Sequence, residues 1–190
     1  YVDDWGIDVA YSGSQKCLSA PSGVGPLTFG PRALEKIDNR RTPIANFYMN
    51  AELMGKYWSG TPRGYHHTAP AHLYYAMREG LRLVAEEGLA ERWARHQSVA
   101  EAFWAGLEEM GLTPHVALEY RLPSLTTVRV PAGVDAAAVA RRLLNEYNVE
   151  ISGGLGDLAG KVWRVGLMGY NARRENVAVL LRALAEVLGR

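Results

Sequence analysis

The sequence predicts an α/β protein in two parts: a loop-rich part at the start of the chain, read as the end of a larger domain, and a compact α+β unit from about residue 112 onward, with a long helix joining the two. Three observations carry this. A short period-2 apolar segment lies near the start of the chain, and a strand–helix–strand–strand–helix succession fills the residues from about 112 onward. Residues 1–70, in contrast, hold one or two strands among long loops, too little to enclose a core, so part of the larger domain is expected to precede Tyr1.

Each element has a local reason. Ile7, Val9 and Tyr11 alternate with Asp8 and Ala10 as a strand does, and the pattern stops at Ser12-Gly13-Ser14-Gln15-Lys16 and the loop Ala20-Pro21-Ser22-Gly23-Val24-Gly25-Pro26. Leu27-Thr28-Phe29 reads as a second strand, residues 31–38 as one or two helical turns, the stretch from Arg40 to Tyr48 as extended, and residues 51–58 as a short helix. The Gly-, Pro- and polar-rich run from Trp58 to Pro70 reads as a loop. From Ala71 the periodicity is helical, in two parts separated at Gly88; in the second, Leu89, Trp93, Ala100, Phe103, Leu107 and Met110 recur at helical spacing and Gly111 closes the helix. Leu125–Val130 reads as a strand, Ala136–Tyr147 as a helix capped by Asp135, and Val149-Glu150-Ile151 as a strand. After Gly153-Gly154-Leu155-Gly156, Lys161–Met168 reads as a strand and Arg173–Leu188 as an amphipathic helix.

The composition narrows the function. Among 190 residues, 21 Lys and Arg face 20 Asp and Glu, a formal charge of +1, which removes any general attraction to nucleic acid or acidic membranes. The single cysteine, Cys17, cannot form an internal disulfide, which fits a reducing compartment. No apolar run reaches the roughly 18 residues of a membrane span. The chain begins at Tyr1 and not Met, carries no signal peptide and ends without a peroxisomal or reticular retention signal, so a processed or truncated cytoplasmic chain is expected.

Lys16 follows a strand and is flanked by Ser12, Gly13, Ser14 and Gln15, with Pro21 and Gly23 shaping the next loop. It is either a solvated surface lysine or an amine partly desolvated at a strand end, where α/β sheets bind ligands; desolvation lowers a lysine pKa and suits it to Schiff-base chemistry. Arg164, inside a strand after the glycine-rich loop, either faces solvent or grips a carboxylate through two parallel hydrogen bonds. His66, His67 and His72 match no structural zinc spacing and are read as packing or hydrogen-bonding residues rather than metal ligands, while the hydroxyls of Tyr65 and Thr68 suit a phosphate. Gly154–Lys161 mimics a phosphate-binding loop but fails it, because Leu155 stands where a glycine is needed and Val162 where a Ser or Thr is needed; the loop is expected to support substrate by close backbone approach. Cys17 is read as a packing residue.

Together, Ser12-Gly13-Ser14-Gln15-Lys16 with Ala20-Pro21-Ser22-Gly23, Tyr65-His66-His67-Thr68, Gly153-Gly154-Leu155-Gly156 and Gly160-Lys161-Val162-Trp163-Arg164-Val165-Gly166 resemble the alanine–glyoxylate and serine–glyoxylate (serine–pyruvate) aminotransferases, pyridoxal-phosphate enzymes of fold type I. The resemblance covers essentially the whole chain, as the C-terminal half of such an enzyme, and implies that residues 1–87 are the end of the large α/β domain and residues 88–190 the small α+β domain. It implies that Lys16 forms the internal aldimine with pyridoxal 5'-phosphate and shuttles the proton between the substrate α-carbon and the cofactor C4′. It implies further that Gln15 contacts the cofactor phosphate, that Tyr65 and Thr68 reach the phosphate of the neighbouring subunit of a homodimer, and that Arg164 binds the substrate α-carboxylate. The implied substrates are a small amino acid, alanine or serine, and a 2-oxo acid, glyoxylate or pyruvate. The family's aspartate for the pyridinium nitrogen, its stacking aromatic residue and its glycine-containing phosphate loop all precede the lysine strand and have no counterpart here, so this chain alone is expected not to bind the cofactor productively. A missing half supplied as a separate chain, a transaminase for aspartate or an aminophosphonate, and a non-catalytic fragment are the alternatives.

Overall fold

The computed structural model describes residues 1–190 and divides into two compact units: Tyr1–Gln15 with Ala20–Glu79, and Lys16–Ser19 with Gly80–Arg190. No helix is long and apolar enough to cross a membrane.

In the first unit, β1 (Val9–Tyr11) pairs antiparallel with β2 (Leu27–Phe29), Val9 opposite Phe29. Helix α1 (Pro31–Asp38) starts on a proline, whose fixed φ suits the first turn, and α2 (Ala51–Ser59) is capped by the Asn50 side chain, which accepts from the Leu53 N–H. The segment read as extended between Arg40 and Tyr48 forms bends and turns instead. The Asn46 side chain accepts from the Met49 N–H and the Phe47 carbonyl accepts from the Asn50 N–H, which closes the backbone before α2. Among this unit's hydrophobic residues only Ala20 is buried, and the alternation read near the chain's start conceals little: Val9 is half-exposed and Tyr11 is 87% exposed.

Helix α3 (Ala71–Glu87) contains the boundary between the units. The second unit continues with α4 (Leu89–Glu109), β3 (Leu125–Arg129), α5 (Ala136–Tyr147), β4 (Ser152–Gly153), β5 (Val162–Gly166) and α6 (Arg174–Leu188). Its sheet is antiparallel in the order β3-β5-β4, with Thr127 and Ser152 both opposite Arg164. The face carrying Val128, Trp163 and Val165 joins the core with Val99, Phe103 and Leu107 of α4, Val139 and Leu143 of α5, and Val177, Leu180 and Leu184 of α6. Each such side chain contributes about 1.5–3 kcal/mol of transfer free energy. The buried polar atoms in this core are paired: Trp104 donates to Thr126 Oγ1 at 2.8 Å and Trp163 to the Ala136 carbonyl at 3.0 Å.

The second unit differs from the sequence reading in two places. Val149-Glu150-Ile151 is not a strand, because Asn148 takes a left-handed conformation (φ 55°) and the Asn148 and Val149 amides close α5 onto the Leu144 and Leu143 carbonyls. The strand begins only at Ser152. The apolar stripe of α4 also starts later than its spacing suggests: Leu89 and Trp93 are more than half exposed, while Arg92 and His96 are buried in that part of the helix.

Candidate functional site

The segment around Lys16 is shaped by its backbone. Ser14 is fully buried; its hydroxyl donates to the Pro21 carbonyl at 2.7 Å, its N–H to the Val24 carbonyl, and its carbonyl accepts from the Ala20 N–H. The Ser14 hydroxyl is thus spent inside the protein, closing the loop that follows it. The Lys16 carbonyl accepts from the Ser19 N–H at 2.9 Å, and Ser19 is left-handed (φ 57°), so residues 16–19 form a tight turn. The Lys16 side chain is exposed and has no hydrogen-bond or ion-pair partner. The partial desolvation suggested by its place after a strand is absent. Gln15 is exposed and its amide lies over Gly13.

A polar cluster that sequence reasoning missed holds this turn within the second unit. Arg92 donates through Nη2 to the Cys17 carbonyl at 2.5 Å and through Nη1 to Glu87 at 2.6 Å. Arg95 pairs with both Glu87 oxygens and donates through Nη1 to the carbonyls of Gly169, at 2.9 Å, and Ala172, at 2.6 Å. Hydrogen bonding from Arg95, opposed by burial and reinforced by Arg92, holds the Glu87 carboxyl down at about 2, and the same bond raises the Arg95 guanidinium. The buried His96 joins the Arg92 carbonyl through Nδ1 at 2.7 Å and accepts the Gly169 N–H on Nε2 at 2.9 Å. A signal was available: Arg92, Arg95 and His96 stand at i, i+3 and i+4, one face of a helix whose next turns are apolar.

Arg164 lies on the sheet face opposite the Trp163 and Val165 side chains. Its Nε donates to the Gly153 carbonyl at 2.7 Å, and neither Nη group has an acceptor in the protein. The glycine-rich loop beside it explains part of its own composition: a Cβ on Gly154 would overlap the Leu158 carbonyl, and the Gly154 N–H donates to the Val162 carbonyl at 2.9 Å. The close approach at this glycine is made by the protein's own backbone.

Tyr65 and Thr68 are brought together, Tyr65 Oη lying 2.7 Å from Thr68 Oγ1, with Tyr65 74% exposed. Between them, His66 is buried, stacks on Phe47 with ring centroids 4.5 Å apart, and places Nε2 2.9 Å from the Phe47 carbonyl and Nδ1 2.7 Å from His67 Nδ1. Both ring nitrogens of His66 are engaged. Lys16 and Arg164 belong to the second compact unit, and Gln15, Tyr65 and Thr68 to the first. Cys17 is half-buried and lines a cavity of about 620 Å³ with Leu89, Trp93 and Pro123.

The profile described as aminotransferase class-V matches residues 1–180. The chain is 44% identical to the alanine–glyoxylate aminotransferase of Callithrix jacchus, covering 99% of this chain and 46% of that protein. It is 40% identical to the (S)-ureidoglycine–glyoxylate transaminase of Bacillus subtilis, covering 98% and 49%. Among solved structures, the alanine–glyoxylate aminotransferase of Nostoc sp. superposes with a TM-score of 0.94 at 60% identity, covering 98% of this chain and 49% of that one. The chain spans about half the length of the curated relatives it matches.

Proposed function

This chain belongs to the class-V aminotransferase family, and on that premise we propose that it carries the lysine and the carboxylate-binding arginine of a pyridoxal-phosphate-dependent transaminase. The reaction moves the amino group of a small amino acid, alanine or serine, to glyoxylate or pyruvate in a ping-pong cycle. We take residues 1–87 as the end of the larger, cofactor-binding domain and residues 88–190 as the small domain. A reducing, cytoplasmic setting fits the lone cysteine.

The state of Arg164 carries this reading. Its guanidinium is anchored through Nε on the Gly153 carbonyl while both Nη groups are without acceptors. A planar fork held in a strand with its outer donors free matches a carboxylate end-on, so Arg164 orients the substrate by its α-carboxylate and disfavours donors that lack one. Lys16 is the complementary group, a primary amine without a partner on a turn fixed by its backbone.

These residues fit a phosphorylated aldehyde. The exposed hydroxyls of Tyr65 and Thr68 share one hydrogen bond, which leaves one hydroxyl proton of the pair to donate to phosphate, and the Gln15 amide offers another donor. Following the family pattern, Gln15 serves the phosphate in its own subunit and Tyr65 and Thr68 that of the neighbouring subunit, which makes the working unit a homodimer. Pyridoxal phosphate, when bound, supplies the electron sink for loss of the α-proton. Lys16 would hold the cofactor through Nζ and, when released by the substrate amine, would move the proton from the substrate α-carbon to the cofactor C4′. Arg164 keeps the α-carbon aligned throughout.

Replacement of Lys16 by Ala in the complete enzyme is expected to abolish turnover of alanine with glyoxylate together with the visible absorption of lysine-bound cofactor. Retention of both overturns the reading. A panel of alanine, serine, aspartate and an aminophosphonate on the wild-type enzyme then ranks the donors, and Arg164 predicts that the aminophosphonate ranks last.

A further inference from the structure

We propose that Gly169 is a positioning residue for Lys16, the seat on which the Lys16–Ser19 turn is braced. The inference rests on the reading of Lys16 as the reacting amine.

The 3-10 turn Gly169–Asn171 follows β5, and Gly169 is buried and left-handed (φ 57°). A Cβ there would collide with Ser19 Oγ and come within 2.7 Å of the Cys17 carbonyl oxygen. The next residue completes the seat, since the Tyr170 N–H donates to Ser19 Oγ at 2.8 Å. Gly169 differs in this from Gly133, Gly160 and Gly189, which are also left-handed but would place a Cβ in open space. At those positions the backbone conformation alone accounts for glycine; at Gly169 the absence of a side chain also lets two turns meet.

The seat is itself held from α4. The Gly169 N–H donates to His96 Nε2, Arg95 takes the Gly169 and Ala172 carbonyls, and Arg92 takes the Cys17 carbonyl on the other side. The two partners of His96 fix its tautomer. A carbonyl faces Nδ1, which therefore carries the proton, and an N–H faces Nε2, which therefore carries the lone pair. The ring is held in one orientation by these two bonds. Lys16 has a flexible four-carbon side chain with no partner of its own, so its starting geometry is set at the backbone, where Cys17 and Ser19 are the fixed points.

The test uses the complete enzyme, stripped of cofactor. Pyridoxal phosphate is added, samples are reduced with borohydride at timed intervals, and the modified Lys16 peptide is quantified by mass spectrometry beside the melting temperature of each protein. Gly169→Ala is expected to slow modification of Lys16 about tenfold or more, as misplacement of a reacting group does. Gly133→Ala, which imposes the same backbone strain in open space, stays within about twofold of wild type. Ser19→Gly separates positioning from stability. It removes the acceptor of the Tyr170 N–H while relieving the left-handed strain at residue 19, so modification slows about threefold with the melting temperature unchanged or raised. Modification of Ser19→Gly at the wild-type rate overturns the brace, whatever Gly169→Ala does to the fold. Failure of the wild-type enzyme to be modified at Lys16 overturns the functional reading itself and the positioning role with it.

Discussion

Glu87 is paired with two arginines, Arg92 and Arg95, and its chemistry is readable as a pH dependence. Two arginines hold its carboxyl at about 2, with three-quarters of the side chain shielded from solvent. A group whose pKa is depressed on folding stabilises the native state above its unfolded value, near 4.5, and that contribution disappears as pH falls from there towards 2. Allowing for screening, the loss is about 2 kcal/mol. Urea unfolding midpoints are therefore expected to be flat with respect to this group above pH 5 and to fall between pH 4.5 and 2.5, more steeply in the wild-type chain than in Glu87→Gln. Asp135, Glu52, Glu146 and Glu186 are also lowered, by hydrogen bonds or ion pairs that the substitution leaves in place, so the difference between the two curves isolates Glu87. Parallel curves would show that the pair with Arg95 has no stabilising effect. At this scale the sequence was informative about which side chains to inspect and uninformative about their partners. Lys16, Arg164, Tyr65 and Thr68 stand out by type and neighbours. The carbonyls that hold Arg92, Arg95 and Arg164 are set by tertiary packing, and three of them lie more than seventy residues from the arginine they bind.

Elements were legible where periodicity and a cap agree. Asp135 is such a case: its side chain accepts from the Ala137 and Ala138 amides at 2.9 and 3.0 Å, which starts α5 at the expected residue and lowers the Asp135 pKa, the Ala138 bond contributing most. Asp135→Ala is expected to cost about 1 kcal/mol, and Asp135→Asn much less because the acceptor oxygen remains. Chemical denaturation of both variants checks this, and an equal loss in the two would assign the effect to charge rather than capping. Elements were illegible where a helix end consumes the residues of the next segment. Val149 and Ile151 alternate as strand residues do, yet the Val149 amide is already engaged in closing α5 and both side chains pack on the helical core. The start of α4 misled for a related reason. Leu89 and Trp93 have core-type side chains at core-type spacing, but Arg92 and His96 hold the adjoining backbone turns, so the polar residues occupy the buried positions.

At the scale of the molecule, burial is unevenly divided. The second unit contains the whole hydrophobic core cluster, from Val99 to Leu184. In the first, Tyr1, Trp5, Tyr11, Trp58 and Tyr65 are each more than 60% exposed, and the only sheet is the two-stranded pair β1–β2, an arrangement marginal in water without a hydrophobic partner. Local stability follows buried apolar area, because an amide can exchange through any opening that costs less than global unfolding. Amides of Val128, Trp163 and Leu143 are therefore expected to exchange only through global opening. The hydrogen-bonded amides of β1 and β2 are expected to exchange at least about 100-fold faster in this chain, a difference of about 2.8 kcal/mol at about 1.4 kcal/mol per decade. The α1 amides should follow the fast group, since its outward ion pair, Arg32 with Asp8, is exposed on both sides and such pairs contribute less than about 1 kcal/mol. Amide exchange followed residue by residue by NMR measures the contrast directly. Equal protection in the two units would mean that the first is stabilised by something other than buried apolar area, and the argument from burial to local stability would fail for this protein.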